Sequence, residues 1–345
     1  MTNYNLVFVT ERSQRHQKTA LAAAPECLNV QMLVNSDRNE LIESLAEADY
    51  LISERVGEID ASLIQAAPKL KLIQRLGSLT YDIDLNVAKQ EGIEVCYLPI
   101  ESVINVAEHL VLQMLALGKR VVEAQQVINT KIYDSRKSSQ TTADIFAYNW
   151  SGMKNLQRLT GRTVGILGFG QIGAELSSRL RGWNCKILYN KRRPLPEDVE
   201  KMLGITYAER EDLTAQSDYI CNLLPYNKST HLSLNATFFE QMKQGAYFIS
   251  CGAGSVMDFD ALAHKLESGW LAGVAVDSFD IEPPNSSHPL ISLITKNHNV
   301  FFTPHIAAGN TQDPVEKRKQ DYHNILNHIY NLPRNYIVIK GTRNK

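Results

Sequence analysis

Several features that would fix a membrane or nucleic-acid role are missing from this sequence. No window approaches ~18 consecutive apolar residues, so a membrane span is excluded. The first ten residues lack the basic stretch, apolar segment and small-residue cleavage site of a signal peptide, and they are typical of a mature β-strand. Lys plus Arg (36) nearly balance Asp plus Glu (37), so charge favours neither nucleic acid nor an anionic membrane as partner.

Cysteine is scarce, and no C-x-x-C pair occurs. The five cysteines are odd in number and scattered: Cys27, Cys96, Cys185, Cys221 and Cys251. Most lie in or beside apolar strand-like runs, which indicates buried free thiols in a reducing compartment. We therefore expect no disulfide framework and no metal site, and the cytoplasm is the expected location.

Length and composition are those of a globular protein with two domains. The chain has 345 residues, of which 44% are hydrophobic and 21% charged. Apolar runs of strand length alternate with helical patterns, which predicts parallel sheets covered by helices. In the first block the predicted strands are 6–9, 50–52, 70–73 and 93–97, and the predicted helices are 38–46, 61–66 and 85–90.

The middle of the chain predicts a connection and then a second α/β series. Apolar residues recur at helix spacing through 103–115, whereas 130–155 indicates a polar loop or arm. The aromatic residues of that arm, Phe146, Tyr148 and Trp150, leave room for a subunit contact. Further strands are predicted at 163–167, 186–189, 219–223, 247–250, 273–276 and 300–302.

The C-terminal tail bears on how the two domains are connected. A final helix is predicted at about 312–331, followed by a strand-like run at 336–339. A return of this tail to the first block would make the first domain discontinuous. The predicted fold class is α/β, with two Rossmann-like, doubly wound parallel-sheet domains.

A glycine-rich turn follows the predicted strand 163–167 at once. Gly168, Gly170 and Gly173 form G-x-G-x-x-G between a strand and a helical pattern. The first glycine permits a tight turn, the second admits a pyrophosphate close to the backbone, and the third allows close helix–strand packing. The amino end of the helix then offers unpaired N–H groups to the phosphates. This turn predicts a dinucleotide site.

The end of the next strand bears on the choice of dinucleotide. An NAD site usually has Asp or Glu near position 190, 17 residues after Gly173. The sequence here is Asn190-Lys191-Arg192-Arg193. Arg can hold a 2′-phosphate by paired hydrogen bonds, so NADP(H) is favoured and NAD(H) stays an alternative. A solvated basic turn is the structural alternative.

Three later stretches complete a resemblance to a known family. They are 247–258, Val276-Asp277-Ser-Phe-Asp-Ile-Glu282-Pro283, and Thr303-Pro-His305-Ile-Ala-Ala308. With the glycine turn, their order and spacing resemble the D-isomer-specific 2-hydroxyacid dehydrogenases, including glyoxylate and hydroxypyruvate reductases. The resemblance implies a flavodoxin-like substrate domain (1–104 with 305–345), an inserted dinucleotide-binding domain (105–304) and a homodimer.

The resemblance also implies site residues. Reduction of a carbonyl by hydride leaves an alkoxide that needs a proton, and histidine is the side chain best suited to supply it. By resemblance His305 is the acid–base and Glu282 its partner. Considered alone, His305 would more often be a surface or structural histidine, and Glu282 could equally be a solvated loop acid. Besides the glycines and the basic turn, the expected cofactor contacts are Gln171, Ile172, Leu224, Pro225, Thr230, Cys251, Gly252, Asp277 and Ala307.

The chain departs from the family pattern at two places. Relatives carry an arginine at position 253 to bind the substrate carboxylate, and this sequence has Ala253. Four explanations are compatible with the sequence. Another residue replaces the arginine, the substrate lacks an α-carboxylate, the position has been mutated, or the protein binds cofactor without efficient turnover. In the family's carboxylate-binding loop, here Gly77, Ser78 and Leu79, the usual second glycine is Leu79, which narrows or reshapes the pocket.

Two further residues have competing interpretations. Arg75, just before this loop, is a candidate substrate cation or a surface arginine at a strand end. His109, on the apolar-faced helix, matches a family helix beside the cofactor and is interpreted as structural. The function predicted is NAD(P)-dependent hydride transfer to a small 2-keto acid or related carbonyl. The alternative is a nucleotide-binding sensor or partner protein with weakened catalysis.

Overall fold

The protein is described by a computed structural model that covers residues 3–34, 36–54, 57–131, 133, 137–146, 148–296, 298–309 and 313–343. The chain divides into two compact units, Met1–Glu101 with Asn310–Lys345, and Ser102–Gly309. These divisions lie within five residues of the domain boundaries predicted at 104/105 and 304/305. Assigning the units as substrate and cofactor domains stays a prediction.

The elements are as follows in the described part of the chain. The strands are β1 Tyr4–Thr10, β2 Leu28–Val34, β3 Tyr50–Glu54, β4 Leu72–Leu76, β5 Glu94–Leu98, β6 Thr163–Leu167, β7 Lys186–Asn190, β8 Thr206–Tyr207, β9 Tyr219–Asn222, β10 Tyr247–Ser250, β11 Gly273–Val276, β12 Val300–Phe302 and β13 Ile337–Ile339. The helices are α1 Gln14–Ala22, α2 Arg38–Leu45, α3 Ala61–Gln65, α4 Leu85–Gln90, α5 Glu101–Lys119, α6 Val121–Asn129, α7 Gln171–Leu180, α8 Glu197–Leu203, α9 Arg210–Gln216, α10 Ala236–Gln241, α11 Phe259–Glu267, α12 Pro289–Thr295, α13 Pro314–Arg318 and α14 His323–Ile329.

The first unit is built on a six-stranded sheet in the order β13-β5-β4-β3-β1-β2. Five strands are parallel, and β13 pairs antiparallel with β5. The order of the parallel strands, 5-4-3-1-2, is that of a flavodoxin-like sheet. Strands β3 and β4 are buried at every residue, including the polar Glu54, Gln74 and Arg75. Asp37, Asp60 and Asp84 each cap a following helix by accepting a backbone N–H.

The second unit is built on a seven-stranded parallel sheet in the order β12-β11-β10-β9-β6-β7-β8. The chain starts in the middle at β6, runs outward through β7 and β8, and crosses back to β9. That is the Rossmann order, with the crossover at β6 and β9 as its switch point. Side chains of β9, β10 and β11 form an apolar core with α10, α11 and α12. The predicted fold class, with a discontinuous first unit, is confirmed.

Several elements were not predicted. Strand β2 is an edge strand in which only Leu28 and Leu33 are buried, and α1 buries Ala20 alone, so each leaves a weak apolar pattern. Strand β8 is only two residues long. Helix α6 has apolar residues at helical spacing, but none of its residues is buried. The helices of the second unit after α7 were not predicted individually.

The prediction of a single continuous C-terminal helix was wrong. Instead of one helix over 312–331, the described residues form α13, a 3₁₀ turn at Lys319–Tyr322, and α14. Position 312 lies outside the described residues. The strand-like run after it does return to the first sheet as β13.

Two predictions, one from the lack of long apolar runs and one from the few scattered cysteines, can be compared with the structure. None of the described helices combines the length and apolar character that crossing a bilayer requires. All five cysteines are free thiols, but only Cys96 and Cys221 are buried, while the other three are half-buried. Burial, which was expected for most of the five thiols, is therefore confirmed for Cys96 and Cys221, whereas Cys27, Cys185 and Cys251 are only partly buried.

Candidate active site

The predicted cofactor and catalytic residues of the second unit follow the carboxyl ends of its strands. They lie after β6, β7, β9, β10, β11 and β12, and parallel strands present these ends at one edge of a sheet. Crevices at that edge are where open α/β sheets bind ligands.

The sequence predicts a separate steric role for each of the three glycines in the turn after β6, and the structure agrees for Gly168 and Gly170. Gly168 has φ +81°, and a Cβ there would lie 2.8 Å from the backbone of Leu223. Gly170 precedes α7, and a Cβ there would meet no atom within 4 Å. This open space beside the amino end of a helix suits a pyrophosphate.

The third glycine makes room for a ring rather than for the strand. A Cβ on Gly173 would lie 2.7 Å from the side chain of Phe169, which is buried in the turn against Tyr189. The two positions between the glycines, Gln171 and Ile172, form the first turn of α7 and are partly exposed. Together the turn fits a dinucleotide, because its backbone is open where the phosphates would approach.

The basic turn after β7 is exposed. Arg192 and Arg193 are both at the surface, and within the described residues neither pairs with a carboxylate. Lys191 is partly exposed. The Asn190 side chain donates to the backbone carbonyl of Ala208 at 2.9 Å. The backbone carbonyl of Asn190 accepts the N–H groups of Gly168 and Phe169 in the glycine turn. The two arginines are therefore available to an anionic ligand.

The ends of β9 and β10 lie side by side. Gly252 donates its backbone N–H to the carbonyl of Asn222 at 2.9 Å, and a Cβ on Gly252 would lie 2.9 Å from the Leu224 carbonyl oxygen. In the loop after β9, Thr230 donates its hydroxyl to the Pro225 carbonyl at 2.7 Å. These contacts bring the predicted residues of both loops to one place.

The thiol of Cys251 belongs to the same edge. It donates to Gln113 of α5 at 3.3 Å, and burial raises its pKa well above the ordinary value. The thiol stays protonated at neutral pH, so Cys251 is suited to packing and not to nucleophilic attack.

The candidate acid–base pair forms across 23 residues of sequence. His305 Nδ1 lies 2.7 Å from Glu282 Oε2, and the other oxygen of Glu282 accepts the backbone N–H of Phe279 at 2.9 Å. The carboxylate is thus held in place by its own loop. The His305 side chain is 58% exposed, so its ring is reachable from solvent.

Asp277 lies beneath the histidine turn and is 1% exposed. Its side chain accepts the backbone N–H groups of Ile306 and Ala307, both at 2.9 Å. It also accepts the hydroxyl of Thr303 at 2.6 Å. Asp277 and Ala307 were predicted as cofactor contacts, whereas no role was predicted for Thr303. The position of Thr303 directly after β12, two residues before His305, could have indicated that it belongs to the site.

His109, interpreted from sequence as structural, is buried in α5. Its Nε2 lies 3.0 Å from the Thr303 hydroxyl and 3.7 Å from an Asp277 oxygen. Burial lowers its pKa, although Asp277 opposes the shift. His109, Cys251 and Asp277 each place a possible metal-ligand atom within 4.8 Å of the others. The Thr303 hydroxyl already bridges two of the three groups.

Position 253 lies on a tightly packed segment. The Ala253 N–H donates to the Leu224 carbonyl at 3.0 Å, and its methyl group packs against the apolar core of the unit. A Cβ on Gly254 would lie 2.0 Å from the backbone of Phe279. The two flanking glycines are therefore used for close backbone approach, which fixes the position of residue 253.

In the first unit, the predicted substrate loop follows β4. Gly77 has φ +118° and donates to the Leu98 carbonyl at 2.8 Å, and the side chain of Leu79 is buried. Ser78 is partly exposed. The expectation that Leu79 narrows or reshapes the substrate pocket stays a prediction.

Arg75 is neither at the surface nor unpaired. Its side chain is 4% exposed and lies 2.5 Å from a carboxylate oxygen of Asp82. Burial raises the pKa of Asp82, an effect that Arg75 opposes. The interpretation as a surface arginine at a strand end was wrong. A role as substrate cation stays a prediction, and it would have to compete with this buried ion pair.

Comparisons with known proteins agree with this architecture. Residues 111–307 match the family model of the D-isomer specific 2-hydroxyacid dehydrogenase, NAD binding domain. A glyoxylate reductase of Thermofilum pendens is 33% identical over 300 residues, which are 85% of this chain and 83% of that protein. A D-3-phosphoglycerate dehydrogenase of Archaeoglobus fulgidus is 29% identical over 306 residues, 89% of this chain and 54% of that protein.

Two solved structures share the fold. A Granulicella formate dehydrogenase has TM-score 0.55 and 25% identity, covering 92% of this chain and 82% of that one. The apo form of Rhodotorula graminis D-mandelate dehydrogenase has TM-score 0.56 and 20% identity, covering 99% of this chain and 100% of that one.

These findings do not favour the alternative of a nucleotide-binding sensor or partner protein with weakened catalysis. They support an oxidoreductase that uses a nicotinamide cofactor and acts on 2-hydroxy or 2-keto acids. The chain belongs to the D-isomer specific 2-hydroxyacid dehydrogenase family.

Proposed function

We propose that this protein reduces a small 2-keto acid of the glyoxylate type with NADPH, using His305 as proton donor. The observation that carries the proposal is the 2.7 Å contact between His305 and Glu282 at the edge that holds the glycine turn. Several relatives named glyoxylate reductase support the substrate class.

The nicotinamide cofactor, when bound, supplies the hydride. The residues of this chain supply the proton. Because His305 Nδ1 faces Glu282, Nε2 is the nitrogen that donates to the alkoxide oxygen. Glu282 orients the ring and stabilises its protonated form, and the Phe279 N–H keeps that carboxylate in place. In the reverse direction the same nitrogen takes the proton from the hydroxyl group.

The cofactor preference follows from the basic turn. Position 190 is Asn and not an acid, so no carboxylate repels a 2′-phosphate, and Arg192 and Arg193 are exposed beside it. The proposed cofactor contacts are the residues assigned above at the carboxyl edge of the second sheet. The assignment of Arg75, Gly77, Ser78, Leu79 and Ala253 to substrate binding stays a prediction.

A homodimer is also part of this proposal. Helix α6 has no buried residue, and the arm after it exposes Phe146 and Tyr148. Contiguous exposed apolar surface of this kind is typical of a subunit interface. The Phe146→Ser/Tyr148→Ser variant should shift the sedimentation coefficient towards a monomer, whereas Tyr330→Ser, an exposed tyrosine of the first unit, should not. A monomeric wild-type protein would contradict the dimer.

The cytoplasmic location rests on the free cysteines and stays a prediction. Fractionation of the source cells, probed with an antibody to this chain, would test it. Recovery outside the cytoplasm would contradict it.

The activity is tested with the purified chain, NADPH, and glyoxylate, pyruvate and hydroxypyruvate. We expect turnover in the wild type and a loss of at least ~10²-fold in kcat for His305→Asn, the lower end of what a positioned acid–base contributes. The Kd of NADPH, measured by fluorescence, should stay within a few-fold. His264→Asn, an exposed helix histidine of the same unit, is the matched control. Normal turnover in His305→Asn would overturn the mechanism.

A further inference from the structure

The turn that carries His305 has an unfavourable backbone conformation. His305 has φ +54°, in the left-handed region that residues other than glycine rarely adopt. Its N–H donates to the backbone carbonyl of Asp277 at 2.8 Å. A conformation of this kind persists only where the surrounding structure holds it, so the contacts beneath the turn matter for the position of the ring.

The hydrogen positions beneath the turn follow from the acceptors. Asp277 accepts from the N–H groups of Ile306 and Ala307, so its oxygens act as acceptors. The Thr303 hydroxyl has one hydrogen, and at 2.6 Å that hydrogen is directed to Asp277. The Thr303 oxygen must therefore accept from its other neighbour, Nε2 of His109, at 3.0 Å.

We propose that Thr303 is a positioning residue for proton transfer by His305, through a relay that runs from His109 Nε2–H to the Thr303 hydroxyl and on to Asp277. The relay fixes His109 with its hydrogen on Nε2 and connects helix α5 to the histidine turn. The kinetic consequence of this inference rests on the proposed function. The hydrogen-bond geometry of the relay is independent of that function.

The kinetic test removes only the hydroxyl. In Thr303→Val, kcat for glyoxylate reduction should fall at least ~10-fold, a part of the ~10²–10⁴-fold that a positioned acid–base contributes. The Kd of NADPH should stay within ~3-fold, because the loss concerns the proton donor and not cofactor affinity. Thr303→Ser keeps the hydroxyl and should restore kcat to within ~3-fold of wild type. Equal kcat in the Val variant and the wild type would overturn the proposal.

A matched control separates positioning from loss of stability. Thr214 is a buried threonine of the same unit whose hydroxyl bonds the Arg210 carbonyl within α9. Thr214→Val should lower the melting temperature without changing kcat. If it lowers kcat as much as Thr303→Val does, the effect at Thr303 is structural and the proposal is wrong.

A double variant tests whether Thr303 acts through His305. In the His305→Asn background, Thr303→Val should change kcat by less than ~2-fold, because coupled residues are not additive. A further ~10-fold loss there would overturn the coupling.

NMR tests the relay without turnover. In wild-type protein labelled with ¹⁵N-histidine, His109 should show its hydrogen on Nε2, protected from exchange, and Thr303→Val should abolish that protection. A His109 with its hydrogen on Nδ1 alone would overturn the relay. If His305→Asn is fully active while the NMR result holds, the proposed function has failed and the relay geometry has not.

Discussion

At the scale of single residues, the predicted acid–base pair is in contact, whereas a predicted cation is replaced by alanine. His305 and Glu282 lie 2.7 Å apart, and Ala253 occupies the position where the family resemblance predicts an arginine. A charge-assisted donor to a developing negative charge contributes ~10²–10³ in rate, so this substitution predicts weak turnover of 2-keto acids. The proton-transfer pair and the carboxylate-binding position are separate parts of the site, and each can be tested alone.

Restoring the cation should restore rate. We expect Ala253→Arg to raise kcat/KM for glyoxylate, pyruvate or hydroxypyruvate at least ~10²-fold, because the planar guanidinium grips a carboxylate and also reaches the carbonyl oxygen. Steady-state kinetics with NADPH measures this. Ala253→Lys is the matched variant, because it supplies a positive charge without the planar paired donors of a guanidinium. Its gain in kcat/KM should be smaller. A folded, cofactor-binding Arg variant with no gain would mean that the pocket serves another substrate.

Removing the charge of Glu282 should lower the rate of proton transfer. In Glu282→Gln the neutral amide keeps the size of the side chain but no longer offers His305 Nδ1 a carboxylate oxygen, so the ring is held less firmly. We expect kcat for reduction, measured by steady-state kinetics with NADPH, to fall at least ~10-fold. Glu240→Gln, an exposed helix acid of the same unit, should leave kcat unchanged. An unaltered kcat in Glu282→Gln would show that this carboxylate does not act on the histidine.

At the scale of elements, the two turns that follow β6 and β7 have different tasks. The glycine turn is held by sterics, since Gly168 and Gly173 have no room for a side chain. The basic turn is held at its base by the Asn190 contact to Ala208, and its arginines extend into solvent. The first turn therefore suits any dinucleotide, whereas the second is proposed to discriminate between NADPH and NADH.

The basic turn should set the preference for NADPH over NADH. In Arg192→Ser/Arg193→Ser we expect the Kd of NADPH to rise at least ~10-fold, because a hydrogen bond to a charged group contributes ~1.5–3 kcal/mol. The Kd of NADH should change less than ~3-fold, and added salt should weaken the wild-type preference. Cofactor fluorescence titration measures all three. The control is Arg158→Ser, an exposed arginine of the same unit. Equal or tighter NADH binding by the wild type would contradict the preference.

At the scale of the whole molecule, each unit has its own core and its own sheet. The first unit is closed by a buried ion cluster between its two chain segments. Glu54, 3% exposed, accepts from Arg12 at 3.2 Å and from Arg318 at 3.0 Å. Burial alone would raise the pKa of Glu54, but hydrogen bonds and charge from Arg318, with Arg12, bring it below its ordinary value.

This cluster should make the first unit sensitive to acid. Because the folded pKa of Glu54 is lowered, its stabilisation is fully present above the unfolded value and is lost as pH falls through the lower folded value. Glu54→Gln should lower the free energy of unfolding at pH 7 by ~1.5–3 kcal/mol, since it leaves the partly buried Arg12 without its carboxylate and Arg318 with Asp321 alone. The difference from wild type should shrink below pH ~4.5.

Denaturant unfolding followed by circular dichroism from pH 3 to pH 8 measures both effects. Glu47→Gln is the matched control, because its ion pair with Lys69 is exposed on both sides and should contribute less than ~1 kcal/mol. A constant difference between Glu54→Gln and wild type across this range would contradict the assigned direction of the pKa shift.

The sequence by itself determined six of the seven strands of the second sheet, the dinucleotide turn and the identity of the acid–base candidates. These depend on short-range signals: apolar runs of strand length, glycines with a steric purpose, and motifs in a fixed order. The same logic failed for β2, which buries little and so leaves little pattern, and for β8, which is only two residues long.

Only the tertiary structure decided which side chains meet. His109 and Thr303 lie 194 residues apart, and Glu54 and Arg318 lie 264 apart, and neither pair was predicted. The burial of Arg75 against Asp82 was likewise invisible in a linear pattern. Contacts of this kind depend on how strands and helices pack in three dimensions, and no period along one element encodes a partner on another.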